Sequence, residues 1–376
     1  MPSRVLRIGG FDHVKAVFMG GGRPVVIQTM WKDRLSFADL QSEAGKNLVR
    51  RIETLQAMGC GLLRFAVPAL EDAEALGELA GRVSLPLCAD IHFDYRIALR
   101  CLELPIAKIR INPGNIGNRK KVEAVASKAA ARNIPIRIGV NAGSLPAALR
   151  EQVQRGMDRA EALVQAALEE LAVFDELGFT AAAVSMKASG IADTIKANRL
   201  FAERSDAPLH IGVTEAGPLV PGTVRNTAAL LPLLLEGIGD TLRVSLSDSV
   251  ENEIIAGREI LNAVRDMTGA AGSNRFGRGV ILVSCPLCGR NGFDTIAFTE
   301  RWKTRLYALD KNCTIAVMGC AVNGPGEAKH ADLGITGAGN SIMIFRQGRV
   351  IKTLTARDDA EIDKAFEEAL RELQKS

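Results

Sequence analysis

Two stretches far apart in the chain carry residues able to hold a soft metal: Ser284-Cys285-Pro286-Leu287-Cys288-Gly289-Arg290 and Met318-Gly319-Cys320-Ala321-Val322-Asn323-Gly324-Pro325-Gly326-Glu327. Cys-x2-Cys puts two thiolates on one tight turn, and a third sulfur 32 residues later completes three corners of a site. Cys313 as the fourth corner gives a closed, all-sulfur site, suited to structural zinc or to a cluster that only transfers electrons. Glu327, seven residues past Cys320, gives instead a harder and more labile oxygen corner that can yield to a substrate oxygen. Spacing alone leaves both open.

A second set of chemistry-bearing residues recurs at the ends of apolar runs: Arg64, Asp90, Arg110 and Asn112, Arg137 and Asn141, Lys187, Glu215 and Ser245. Guanidinium forks suit the oxygens of phosphate or carboxylate, and lysine adds a mobile point charge. Four cations with so few acids among them fit a substrate carrying more than one phosphate. Glu215 and Asp90 are the acids able to move a proton, although an acid beside several cations stays ionised at neutral pH. They equally suit the role of holding the arginines in place. His92 reads as a hydrogen-bonded structural residue, and the glycines of 112–117 and 139–144 offer backbone N–H groups to an anion.

Something must bring these side chains together. Short apolar runs at 25–28, 62–66, 87–90, 106–111, 136–140, 181–185, 209–213 and 242–246 alternate with helical periodicity at 43–58, 70–82, 120–132, 159–177, 191–203 and 251–267. Strands apolar on both faces and separated by helices predict a parallel sheet covered by helices. Eight such units over about 270 residues match a (β/α)8 TIM-type barrel. A doubly wound open sheet has the same periodicity, but only a barrel gathers all the polar strand ends around one mouth. A hairpin is expected ahead of it, with strands at 4–8 and 14–19. The glycine-rich segment 269–279 breaks the rhythm, which predicts a barrel domain over 1–270 and a small α+β domain over 271–376. That second domain is expected to contain strands at 280–283, 314–318, 341–346 and 349–354, helices at 295–309 and 359–375, and a mere turn at 337–340.

Composition narrows the functional class. Hydrophobic content of 47% and charged content of 24% over 376 residues describe an ordinary globular chain. No apolar run has the length of a membrane span, and the first residues lack the apolar core of a signal peptide, so a cytosolic protein is expected. Seven cysteines in that compartment argue against a disulfide framework, and Cys60, Cys88 and Cys101 read as small buried hydrophobes. A net charge of +4 without a basic-aromatic platform argues against nucleic acid.

Taken together, the motifs resemble those of the 4-hydroxy-3-methylbut-2-enyl diphosphate synthases, iron-sulfur enzymes of non-mevalonate isoprenoid synthesis. The resemblance rests on Val26-Ile27-Gln28-Thr29-Met30, Ala89-Asp90-Ile91-His92-Phe93-Asp94, Lys108-Ile109-Arg110-Ile111-Asn112-Pro113-Gly114-Asn115, residues 137–144, Ser284-Cys285-Pro286-x-Cys288 and, most specifically, 319–328. It implies a 4Fe-4S cluster on Cys285, Cys288, Cys320 and Glu327, leaving Cys313 outside the motif. It implies that Arg64, Arg110, Arg137, Asn141, Lys187 and Ser245 grip the diphosphate of 2-C-methyl-D-erythritol 2,4-cyclodiphosphate, with Glu215 assisting proton transfer. In such enzymes a substrate oxygen displaces the glutamate from one iron, and two single electrons from flavodoxin or ferredoxin open the ring and expel water. A homodimer in which each cluster domain serves the partner's barrel is also implied, as is the compact bacterial form. The run Ser247-Asp248-Ser249-Val250-Glu251 departs from the family's commoner acidic-proline sequence near Ser245.

Overall fold

Eight apolar segments pair as one parallel sheet in a computed structural model of the chain, which describes residues 2–269, 274–276, 279–355 and 358–375. The chain divides into two units, Met1–Gly277 and Arg278–Ser376. The boundary expected at 270/271 falls outside the described residues.

In the first unit, the short strands β1 (Leu6–Ile8) and β2 (Val17–Met19) form the expected antiparallel hairpin, with Leu6 opposite Met19. The parallel strands are β3 (Val26–Met30), β4 (Cys60–Ala66), β5 (Leu87–Asp90), β6 (Lys108–Ile111), β7 (Ile136–Asn141), β8 (Ala182–Lys187), β9 (His210–Ile211) and β10 (Thr241–Leu242). Their order runs β8-β7-β6-β5-β4-β3-β10-β9, and a parallel bridge between Val184 and Leu209 joins the two ends. The sheet is therefore a barrel, and the open-sheet alternative falls. Leu6, Ile8, Val14 and Met19 pack with Val26, Leu62, Cys88, Ala107 and Ala183 near the starts of the strands. The hairpin thus plugs the end opposite the polar strand ends.

The expected helices form within a residue or two of their periodic stretches, for example Arg159–Glu176, which Asp158 caps by accepting from the N–H groups of Ala160 and Glu161. Several helices escaped the periodicity: the short Phe37–Leu40, Tyr95–Cys101, Pro113–Ile116 and Ala147–Gln154, and one long one. Leu219–Leu235 contains Pro221 in its first turn and Pro232 inside it, so its leucine run reads as a plain apolar stretch. Gly222, Asn226, Ala229, Leu230 and Leu233 nevertheless bury one face at helical spacing.

The second unit is a five-stranded sheet, β11 (Val280–Ser284), β12 (Cys313–Met318), β13 (Leu333–Ala338), β14 (Ser341–Arg346) and β15 (Arg349–Leu354), in that order. The first three strands are parallel and the last two antiparallel. Strand β13 is missing from the sequence reading, whose turn at 337–340 survives only as the 339–340 link between β13 and β14. Gly334 disguises it, because the Phe345 ring of the neighbouring strand occupies the space its Cβ would need. Helices Thr295–Tyr307 and Asp359–Lys375 cover one face, locked by Phe298 edge-on to Phe366 with centroids 5.0 Å apart. The other face packs Ala316, Met318 and Phe345 against Ala328 and Ala331.

Candidate functional site

At the mouth of the barrel a cavity of about 270 Å³ is lined by Met30, Arg64, Asp90, His92, Arg110, Arg137, Asn141, Ser185, Lys187, Thr214, Arg243 and Ser245. Seven of the strand-end residues singled out by sequence meet here: Arg64, Asp90, Arg110, Arg137, Asn141, Lys187 and Ser245. Strand alternation explains the convergence, since residues two apart on one strand share a face. Parallel register then sets Asp90 opposite Ala66, and Arg110 opposite both Asp90 and Arg137. Two expected residues stand outside the lining. Asn112 is buried at the start of the short helix Pro113–Ile116, and Glu215 is exposed on the rim with φ +54°. That left-handed backbone is strained for a glutamate, a condition associated with functional loops.

Five cations surround one acid. Asp90 accepts from Arg110 Nη1 at 3.1 Å and lies 3.4 Å from Arg64 Nε. Burial works against its charge, yet Arg64, Arg110 and Arg137 outweigh that and hold it below the usual carboxylate range. His92 Nε2 meets the same Arg110 Nη1 at 2.9 Å, in line with its expected structural role. Arg137 is 2% exposed, and among the described residues its Nε and Nη1 have no partner. Burial, then Arg64 and Arg110, push its guanidinium well below its ordinary range. Lys187 is pushed down in the same way, by burial and then by four arginines led by Arg137. Among the described residues neither Arg137 nor Lys187 has an ion-pair partner, in contrast to Arg64 and Arg110. A site with this surplus of buried positive charge is made for an anion.

Two glycines leave room for the cations. A Cβ on Gly139 would lie 2.4 Å from Arg110 Nε, and one on Gly212 would lie 2.8 Å from Lys187 Nζ. Sequence reasoning missed Arg243, the fifth cation, although it stands two residues before Ser245 and so on the same face. Its fork is held by buried Glu253, with Nη2 to Oε1 at 3.1 Å and Nε to Oε2 at 3.3 Å. Thr29 and Lys32 also bind Glu253. Met30, Ser185 and Thr214 were missed as well; Ser185 stands two residues before Lys187 on one strand and so shares its face, whereas nothing in the spacing of Met30 and Thr214 marked them.

The cysteines occupy one end of the second sheet. Because β11 and β12 are parallel, with Ser284 opposite Val317, their carboxyl ends coincide, and Cys285 N–H donates to Val317 O at 3.0 Å. Gly292 N–H donates to Gly319 O at 2.8 Å, bringing the Cys288 loop beside Cys320. Leu287, between the first two cysteines, has φ +69°, and a Cβ on Gly319 would lie 2.6 Å from Asn291 Oδ1. After Cys320 the chain makes a wide π-type turn, Val322–Glu327, tied back by Gly324 N–H to Cys320 O at 2.9 Å. The backbone N–H of Asn323 favours the Cys320 thiolate, burial opposes it, and the Val322 N–H and Arg290 add to the net lowering of its pKa.

Cys313 begins β12 opposite Val280, at the other end of the sheet. Five rises of about 3.3 Å separate the two ends of that strand, roughly 16 Å. Its thiol is buried in the apolar core, and burial, then Asp332, push it up to about 11. An all-sulfur tetrad using Cys313 is thereby excluded. Cys285, Cys288, Cys320 and the exposed Glu327 are the soft and hard donors brought to one end, although among the described residues no three such side chains already converge as a metal-holding group.

Residues 12–258 match the family model described as the GcpE TIM-barrel domain, and residues 281–372 the one described as the GcpE protein C-terminal domain. The 4-hydroxy-3-methylbut-2-en-1-yl diphosphate synthase (flavodoxin) of Treponema pallidum is 52% identical, across 99% of this chain and 92% of that protein. Proteins of the same name from Treponema denticola and Geobacter sulfurreducens are 47% and 43% identical, across 98% and 96% of this chain and 98% and 95% of theirs. No helix among the described residues is long and apolar enough to cross a membrane.

Proposed function

The chain belongs to the GcpE family, and from that premise we propose that it carries out the reaction its relatives are named for. It reduces 2-C-methyl-D-erythritol 2,4-cyclodiphosphate, opening the ring and expelling water to give (E)-4-hydroxy-3-methylbut-2-enyl diphosphate. The observation that carries this reading is the barrel mouth, whose lining holds Arg64, Arg110, Arg137, Lys187 and Arg243 with Asp90 as its one acid, Arg243 being paired behind the lining with Glu253.

In this reading Arg137 and Lys187, which have no ion-pair partner among the described residues, take the most buried phosphoryl oxygens. Arg64 and Arg110 approach from the side on which Asp90 holds them, and Asn141 and Ser245 complete the grip with neutral donors. Asp90 stays ionised beneath the arginines and orients them; it is not the proton donor. Glu215, exposed on the rim, is the acid positioned to move a proton. Cys285, Cys288, Cys320 and Glu327 would hold a 4Fe-4S cluster, whose donor set they fit as three thiolates and one oxygen at one sheet end. When bound, such a cluster supplies single electrons together with a Lewis-acidic iron. Flavodoxin, named in the relatives, is the proposed electron donor with ferredoxin as its substitute, and a cytoplasmic homodimer is the proposed working form.

The decisive variant is Glu327→Ala. It is expected to retain roughly four irons per chain, read by chemical analysis and by absorption near ~400 nm, while turnover with reduced flavodoxin falls at least about a hundredfold. Normal turnover by that variant, or full activity in colourless zinc-loaded protein, would overturn the reading.

A further inference from the structure

Below the substrate-facing charges the barrel interior stays polar. Lys108, at the start of β6, points to the same side as Arg110 and is 0% exposed. Its ammonium touches the sulfur of Met19, a residue of the plugging hairpin, at 3.7 Å. It has no ion pair among the described residues. Cys88 lies opposite it on β5, Arg64 and Arg137 act on it from β4 and β7, and His210 on β9 lies within electrostatic reach. None of these neighbours supplies a negative charge. Burial pushes the Cys88 thiol up and keeps it neutral, and His210 is held well below its ordinary range by burial and then by Arg137 and Lys187. Asp90, two residues beyond Cys88 on β5, stands opposite Arg110, one side-chain step above. The barrel strands also bury Gln28, 1% exposed, and His210, and among the described residues neither amide atom of Gln28 nor Nε2 of His210 has a protein partner.

A buried cation without a partner costs several kcal/mol, and the ordinary relief is to release its proton. We propose that Lys108 is a reserve cation of the substrate site, partly uncharged when the mouth is empty and protonated as the diphosphate enters above it. One proton passes from solvent buffer to the Lys108 amine, and no electron moves. The inference rests on the functional reading above, which supplies the anion. Burial, opposed by the Cys88 thiol across the strand pair and helped by Arg137 and Arg64, brings the Lys108 ammonium down to about 8, and an anion in the mouth above it raises it again through the low-dielectric interior. The sign follows. Well below pH 8 the lysine is charged in both states and its contribution to affinity is complete; as pH climbs through 8 the free site progressively loses its proton and binding weakens.

The test is calorimetric titration of unreduced enzyme, which binds without turning over, with the cyclic diphosphate at pH 8 in Tris and in HEPES. Wild type is expected to take up roughly half a proton per substrate from this group. Lys187, also buried and pulled down, adds a share of its own, so variants are compared with wild type and not with zero. In Lys108→Met the uptake falls by about that half proton and the rise of Kd between pH 7 and 9 flattens. Lys108→Arg, charged throughout, also lowers uptake but binds tightly to pH 9, an outcome a purely structural lysine would not give. No uptake by wild type, or equal uptake in wild type and both variants, would overturn the inference. Failure of wild type to bind at all would instead remove the functional reading beneath it.

Discussion

The barrel mouth and the cysteine end both sit at the carboxyl ends of parallel strands, yet they hold their chemistry in different ways. At the mouth the cations and Asp90 belong to the strands or follow them directly, are buried or half-buried, and are in part fixed by ion pairs: Asp90 by two arginines, Arg243 by Glu253. At the cysteine end they lie on a loop and a wide turn, with Cys288 and Glu327 exposed and Leu287 in a left-handed conformation. A diffusing anion must be met by charges already in position, because reorganising them during binding would consume the electrostatic gain. Ligands of a metal centre are drawn together by the bonds they form to it, so loops suffice. The fold therefore spends its rigidity where no covalent bond will supply order.

That contrast can be broken by substitution. The largest effect is expected at the cysteine end, where Cys320→Ala should lose most of its iron and turnover should fall by at least about a thousandfold. Cys313→Ala should keep both and cost only about 1 kcal/mol of stability from its buried site. Equal iron loss in the two, measured by metal analysis, would erase the distinction between the ends of that sheet. At the mouth, Arg137→Met should separate binding from stability. Substrate affinity, measured on unreduced protein, should drop about a hundredfold, close to 3 kcal/mol. Thermal stability should hold or rise by about 1 kcal/mol, since an unpaired buried charge has become an apolar chain. A coupled loss of both would mean that the guanidinium supports the fold and not the ligand. The smallest effect is expected for Gly139→Ala, whose methyl group crowds Arg110 Nε. Affinity should weaken about tenfold, with folding affected by about 1 kcal/mol or less. An unchanged Kd would show that Arg110 has freedom the packing denies it.

Much of this was legible before any coordinates. The eight barrel strands and six helices followed from periodicity, which is a local property. The cations at Arg64, Arg110, Arg137 and Lys187 stood out because a charge ending an apolar run is unusual. Arg243 did not, since its reason for being there is Glu253 on the helix Val250–Thr268, a partner no spacing rule connects to it. Strand β13 was hidden by Gly334 and Gly337, whose roles are set by Phe345 and by the Gly292 backbone. Helix Leu219–Leu235 was hidden by its prolines.

The sequence by itself determined which segments are strands and helices, which residues end the strands, and which thiols share a turn, because each depends on neighbours a few positions away. Only the tertiary structure decided that the sheet closes, that among the described residues Arg137 and Lys187 lack ion-pair partners while Arg64 and Arg110 share Asp90, and that Cys313 lies a strand's length from Cys320. Those outcomes depend on register and on contacts between residues distant in the chain, where charge and distance are fixed by packing and not by order along the sequence.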